Sequence, residues 1–233
     1  NLSNATQVSA GYSHTCARLS DSTIKCWGTA SNYRLGNNHE AHKNYPVSVI
    51  GISTATQVSA GGSHTCALLS DSTIKCWGFG SSGQLGDGST ATQNAWPGQA
   101  TPVSVSSISN ATQVSAGYSH TCARLSDSTV KCWGLGSSGQ LGNGATSNQN
   151  TPVTVGGISN ASLISSGGYH TCSVLDDGKA KCWGNGGSGR LGNDSTNNSS
   201  SPVRAKRSWS WTDKSFSQIS AGAEHTCALN KNS

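Results

Sequence analysis

The sequence predicts an all-β protein built from repeated, short antiparallel strands. Three observations lead to this prediction: cysteine pairs recur at a fixed spacing, glycine is abundant, and apolar residues alternate along short segments. Glycine supplies 29 of the 233 residues, whereas hydrophobic residues make up 33% and charged residues 11%. Units of roughly 50 residues with four short strands each are typical of β-propeller blades.

A pair of cysteines marks each complete unit. Every unit reads His-Thr-Cys, nine further residues and then Cys-Trp-Gly. Zinc ligands in paired cysteines are usually two to four residues apart, so this spacing favours disulfides over metal. The predicted disulfides are Cys16–Cys26, Cys66–Cys76, Cys122–Cys132 and Cys172–Cys182. The sequence predicts one propeller domain, 1–233, with units at about 4–53, 54–109, 110–159, 160–217 and, incompletely, 218–233.

The third unit shows how the strands are assigned. Residues 111–117 (ATQVSAG) and 119–125 (SHTCARL) alternate as strands do, and a turn at 126–128 leads into 129–134 (TVKCWG). Pairing across this turn places Cys122 opposite Cys132, within bridging reach. A glycine-rich loop follows, and a fourth strand begins near Thr151.

Units such as VSAGYSHTCARLSDSTVKCWGLGSSGQLGNG resemble the repeats of the regulator of chromosome condensation family. That family pairs a G-x-x-H-T-x-A-L strand with a W-G strand and a G-Q-L-G loop. The resemblance covers almost the whole chain and implies a seven-bladed propeller, of which about four and a half blades are present. The cysteine pairs depart from the founding nuclear protein and are similar to those of secreted or surface-displayed bacterial members.

Cys227 has no partner in this pattern, because the fifth unit stops after HTCALNKNS. We expect it to pair with a residue outside the sequence or with another chain. Three arrangements stay open: a segment of a larger ring, copies that complete one another, or a closed ring of fewer blades.

Composition and disulfides limit the compartment and the partners. A disulfide framework is typical of an oxidising environment, so we expect an extracellular or cell-surface location. No apolar stretch approaches the roughly 18 residues of a membrane helix. The net charge of +5 is modest and dispersed, so no nucleic-acid partner is expected.

The recurring polar residues favour structural roles, and neither catalytic residues nor a cofactor are expected. A histidine before Thr-Cys in every unit is redundant for catalysis, so we expect each imidazole to bond to adjacent backbone. Aspartates at the hairpin turns are expected to bond to nearby N–H groups. The histidines are His14, His64, His120, His170 and His225, and the aspartates are Asp21, Asp71, Asp127 and Asp177.

Candidate binding residues lie where the units differ. Aromatic residues beside arginine and lysine are enriched at recognition hot spots, although a decorated outer strand explains the same pattern. They are Trp96 in one insert, and Arg204, Lys206, Arg207, Trp209 and Trp211 in another; a weaker group is Tyr33, Arg34, His39, His42 and Tyr45. We therefore expect non-enzymatic binding of a protein or glycan, as in adhesion. The alternative is a structural subunit that binds copies of itself in an extracellular filament or surface assembly; nucleotide exchange and chromatin binding, implied by the founding member, fit poorly with disulfides.

Overall fold

The structure, a computed structural model, describes residues 2–90, 101–206 and 215–231. These residues form four four-stranded antiparallel sheets and one two-stranded sheet. The strands are β1 Ala5–Ala10, β2 His14–Leu19, β3 Ile24–Gly28, β4 Lys43–Ser48, β5 Ala55–Ala60, β6 His64–Leu69, β7 Ile74–Gly78, β8 Val103–Ser104, β9 Ala111–Ala116, β10 His120–Leu125, β11 Val130–Gly134, β12 Gln149–Thr154, β13 Ala161–Ser166, β14 His170–Leu175, β15 Ala180–Gly184, β16 Ser199–Arg204, β17 Phe216–Ala221 and β18 Thr226–Asn230. Two short 3-10 turns, Ser31–Tyr33 and Gly187–Gly189, follow β3 and β15.

Each sheet is a blade whose strands follow one another in sequence order. The first strands of successive blades (β1, β5, β9, β13 and β17) contact one another, so they surround the propeller axis. β17 begins at Phe216, two residues before the predicted start of the fifth unit. The predicted all-β propeller architecture is confirmed, with four complete blades and a two-stranded fifth.

The second and third strands of each blade form the predicted hairpin. In the third blade Cys122 lies opposite Cys132, and the Leu125 N–H donates to the Thr129 carbonyl across the turn. The same register recurs in the first, second and fourth blades. All four predicted disulfides are formed within these hairpins.

The apolar core lies between neighbouring blades. One cluster joins Cys66, Ile74 and Leu85 of the second blade to Val114 and Trp133 of the third. Equivalent clusters join the first blade to the second and the third to the fourth. The disulfides therefore lie inside the interfaces, where they add apolar contact as well as a covalent link within each blade.

The tryptophan after the second cysteine of a blade is buried by the blade before it. Trp77, Trp133 and Trp183 are fully buried, whereas Trp27 of the first blade is half-buried. The indole of Trp133 lies against Gly86, where a Cβ atom would be 2.6 Å from Nε1. Because Gly86 also has a φ of +73°, both its backbone conformation and this contact favour glycine in the G-Q-L-G loop.

Candidate binding surface

A hydrogen-bonded chain crosses each interface between blades at its recurring histidine. Nε2 of His64 lies 2.8 Å from the Thr121 hydroxyl of the next blade, and that hydroxyl donates to the Gln84 carbonyl at 3.0 Å. The Trp133 indole donates to the same carbonyl at 3.0 Å. His14, His120 and His170 make the same contact with Thr65, Thr171 and Thr226. We call this arrangement the His–Thr latch.

The latch corrects the prediction that each imidazole bonds to adjacent backbone. The histidine partner is instead a threonine hydroxyl 51 to 57 residues further along the chain. Threonine has one proton, which it gives to the carbonyl, so it accepts from Nε2–H of a neutral imidazole. Burial lowers the pKa of His64 and His120 from 6.5 to about 3, and the neighbouring histidines, whose protonation would repel a second charge, lower it further. These histidines are therefore neutral, structural groups.

The turn aspartates have the predicted structural role. Asp127 accepts hydrogen bonds from the Thr129 N–H at 3.0 Å and the Thr129 hydroxyl at 2.6 Å. These bonds favour the carboxylate and lower the pKa of Asp127. Asp21, Asp71 and Asp177 accept the equivalent backbone bond. All four carboxylates are therefore committed to turns.

The structure describes only two of the predicted binding residues. Arg204 ends β16 and pairs in register with Lys181, and Lys206 forms an exposed ion pair with Asp194 at 3.2 Å. Arg207, Trp209, Trp211 and Trp96 lie outside the described residues. The proposed role of this group in binding therefore stays a prediction.

The weaker predicted group is divided by the fold. Arg34 is buried and donates to the Ser13 hydroxyl and to the Gly62 carbonyl, so it is a contact between blades. Tyr45 is exposed on β4, with the Lys43 ammonium 5.9 Å from its ring centre. His39 and His42 are exposed, and Tyr33 is half-buried.

A cavity of about 410 Å³ lies between the fourth and fifth blades, lined by residues that include Arg190, Lys206, Phe216, Glu224 and His225. In earlier interfaces a tryptophan reaches the carbonyl that corresponds to that of Arg190. The two described strands of the fifth blade carry no tryptophan. The tryptophans of the earlier interfaces come from the third strands β7, β11 and β15, and the described residues of the fifth blade form two strands.

Cys227 is an exposed, free thiol on β18, and its pairing with a further residue or another chain stays a prediction. Across residues 2–90, 101–206 and 215–231, no group of three or more His, Cys, Asp or Glu side chains is placed to hold a metal ion. The same residues contain no helix long and apolar enough to cross a membrane.

An unpredicted feature is a line of aromatic side chains in the turns that follow the first strands. Tyr12, Tyr118 and Tyr169 are exposed, and their rings contact one another in that order. We call these three residues the tyrosine row. The signal in the sequence is a tyrosine where other units have a small residue. Gly62, Gly168 and Ala223 occupy the position of Tyr12 and Tyr118, whereas Tyr169 occupies the position of Ser13, Ser63 and Ser119.

Two family models for the Regulator of chromosome condensation (RCC1) repeat match the chain. One matches residues 26–68, 76–124, 128–174 and 177–229, and the other matches 5–34, 55–84, 111–140 and 162–190. The chain belongs to the RCC1 repeat family. A comparison with curated proteins gave no match.

Solved structures share the fold of this RCC1-repeat propeller. Prp20p from Saccharomyces cerevisiae, described with its binding to Gsp1p and histones, has a TM-score of 0.84 at 18% identity over 97% of this chain and 56% of that chain. Human WBSCR16 gives 0.85 at 20% identity, with 97% and 58% covered. The ectodomain of the Arabidopsis thaliana receptor kinase ACR4 gives 0.54 at 21%, with 97% and 59% covered. The chain thus spans a little over half of each of these structures.

Proposed function

We propose that this RCC1-repeat propeller is a non-catalytic binding module of an oxidising, extracellular compartment, where it recognises a protein or a glycan. The observation that carries the proposal is the set of four disulfides, one in each complete blade. Reducing compartments do not maintain such bonds. The same argument disfavours nucleotide exchange in the nucleus or cytosol.

The distribution of polar groups supports binding over catalysis. The recurring histidines are neutral and committed to latches, and the recurring aspartates are committed to turns. A rigid ring whose repeated residues maintain the scaffold leaves its variable loops to recognise partners. Protein binding is also the property named for Prp20p, whose fold this chain shares.

The compartment is tested by the thiol state of the protein in its native source. Free thiols are blocked at lysis and the tryptic peptides are read by mass spectrometry. We expect the four hairpin disulfides intact and Cys227 outside them. Eight blocked thiols would contradict the proposal. Binding is then tested on protein and glycan arrays, with heat-denatured protein as the control; no specific binding on either array would contradict the binding role.

Self-assembly is a second candidate, favoured by the exposed thiol of Cys227. An intermolecular disulfide would link two copies in the same oxidising compartment. A non-reducing gel of native material should then show a dimer that disappears on reduction and in a Cys227→Ser variant. A monomer on that gel would exclude a covalent assembly through this residue.

A further inference from the structure

The tyrosine row is a continuous aromatic surface beside the propeller axis. The ring centres of Tyr12 and Tyr118 are 5.7 Å apart at an interplanar angle of 78°, and those of Tyr118 and Tyr169 are 5.6 Å apart at 34°. The side chains are 77%, 37% and 39% exposed, respectively. The row begins in the first blade and ends in the fourth.

Gly62 allows the row to cross the second blade. An added Cβ at Gly62 would lie 2.8 Å from Cδ2 of Tyr118 and 2.5 Å from its carbonyl oxygen. The Tyr118 ring therefore lies over the second blade's turn and reaches Tyr12, which is two blades away in the ring. The repeat itself does not require an aromatic residue at the position of Tyr12 and Tyr118, because Gly62, Gly168 and Ala223 occupy it in the other units.

Arg34, which lies beside Tyr118, is committed to the interface between blades. Arg34 donates through Nε to the Ser31 carbonyl, and through Nη1 to the Ser13 hydroxyl and the Gly62 carbonyl. The three tyrosine turns, at 11–13, 117–119 and 167–169, contain only Gly, Ser and Tyr. Glu224 lies in the corresponding turn of the fifth blade, beyond Tyr169. The row therefore offers aromatic faces and neutral hydroxyls, which suits an uncharged ligand.

The size of the row indicates a small ligand. At ~200 Å² per tyrosine side chain, the exposed fractions amount to roughly 300 Å². A standard protein interface takes about 800 Å² from each partner, so the row alone is too small to be one. A ligand with flat apolar faces and many hydroxyl groups matches both the phenol rings and the neighbouring Ser13 and Ser119.

We propose that the tyrosine row binds a neutral oligosaccharide, with sugar rings packed on the phenol faces. The phenol hydroxyls and the turn serines are the hydrogen-bond partners of the sugar hydroxyls. This inference rests on the proposed binding function and narrows it to one ligand class and one surface.

The test is calorimetric titration of the disulfide-bonded chain with cellohexaose, maltohexaose, chitohexaose and mannohexaose. We expect at least one of them to bind, and Tyr12→Ala and Tyr118→Ala each to weaken that binding about 10-fold. Ile50→Ala is the control, because it removes an exposed apolar side chain that follows β4, an outer strand. It should leave the affinity unchanged. Circular dichroism of each variant verifies that the fold is retained, and Tyr12→Ala is the safer variant because its ring is the most exposed.

The absence of binding to all four sugars up to ~10 mM would overturn this proposal. Sugar binding that neither Tyr12→Ala nor Tyr118→Ala weakens would also overturn it. A third contrary result is binding of decaproline that depends on these tyrosines, without any sugar binding. The last result would assign the row to a peptide. The thiol state of the native protein is a separate measurement, so intact disulfides together with any of these results would leave the compartment proposal standing.

Discussion

At the scale of single residues, the His–Thr latch buries several polar groups that need hydrogen-bond partners. In the described part of the chain, Nδ1 of His64 has no hydrogen-bond partner, and the histidine, Thr121 and Trp133 are all fully buried. One carbonyl accepts from both Thr121 and Trp133. Nε2 of His64 and the Gln84 carbonyl therefore find these partners only when the next blade is in place, so the latch is a contact that specifies how blades stack.

Removing the latch hydroxyl should destabilise the fold. Thr121→Val retains the shape but leaves Nε2–H of His64 buried without an acceptor, at a cost of about 1–3 kcal/mol. For a chain of this size that corresponds to a fall in Tm of about 2–4 °C per kcal/mol. Thermal unfolding measures it. Thr154→Val, at an exposed position on β12 of the same blade, is the control and should change stability by less than ~0.5 kcal/mol. Equal effects of the two substitutions would show that the latch contributes nothing.

The buried histidines should make the fold sensitive to mild acid. Burial lowers their pKa from 6.5, to about 3 for His64 and His120 and to about 4 for His14 and His170. Below pH 6.5 these histidines become protonated in the unfolded chain but stay neutral in the folded chain. The free energy of unfolding is therefore at its full value above pH 6.5 and falls as the pH decreases. Each histidine contributes up to ~1.4 kcal/mol per pH unit until its folded pKa is approached.

Urea unfolding between pH 7 and 4.5 measures this dependence. The turn aspartates do not interfere in this range, because their pKa values are lowered from 3.8 and lie below it. His64→Gln should reduce the slope, whereas His39→Ala, at an exposed position, should not. A stability that stays constant across the range would contradict the neutral, buried state of these residues.

At the scale of elements, the contacts that could be predicted from the sequence are those between residues close together in the chain. The hairpin from β10 to β11 follows from alternation, a three-residue turn and opposed cysteines, all within 15 residues of one another. The His–Thr latch could not be read in this way, because His64 and Thr121 are 57 residues apart and belong to different blades. The tyrosine row was missed for the same reason, since its contacts depend on how successive turns are placed around the axis.

Each hairpin disulfide should stabilise its blade by restricting the unfolded chain. The double substitution Cys122→Ala with Cys132→Ala opens a loop with a sequence separation of 10 residues. The expected loss is a little under ~3 kcal/mol in the chain-entropy model, with a further loss from the buried sulfur contacts. Equilibrium unfolding in urea measures it against Cys227→Ser, which removes an exposed thiol and should be neutral. A double variant as stable as the parent would show that the hairpin is held by its other contacts.

At the scale of the whole molecule, stability is distributed over interfaces between successive blades. The apolar clusters join neighbouring sheets, and the first strands are linked by side chains such as Gln57, whose Oε1 accepts from the Val114 N–H at 2.9 Å. Such an array behaves as a chain of nearest-neighbour terms. The contribution of a given residue type to the free energy of unfolding should therefore depend on whether the residue lies in an interface between two blades.

Val8 and Val114 provide a direct test, because they occupy the same position in the first and third units. Val114 is 1% exposed inside an interface, whereas Val8 is 62% exposed on the first blade of this chain. Val114→Ala should cost roughly 2 kcal/mol through lost burial and a residual cavity. Val8→Ala should be close to neutral. Urea unfolding of both variants measures the two losses. If each blade had its own apolar core, the two substitutions would lower the free energy of unfolding by similar amounts, which would contradict a core located between blades.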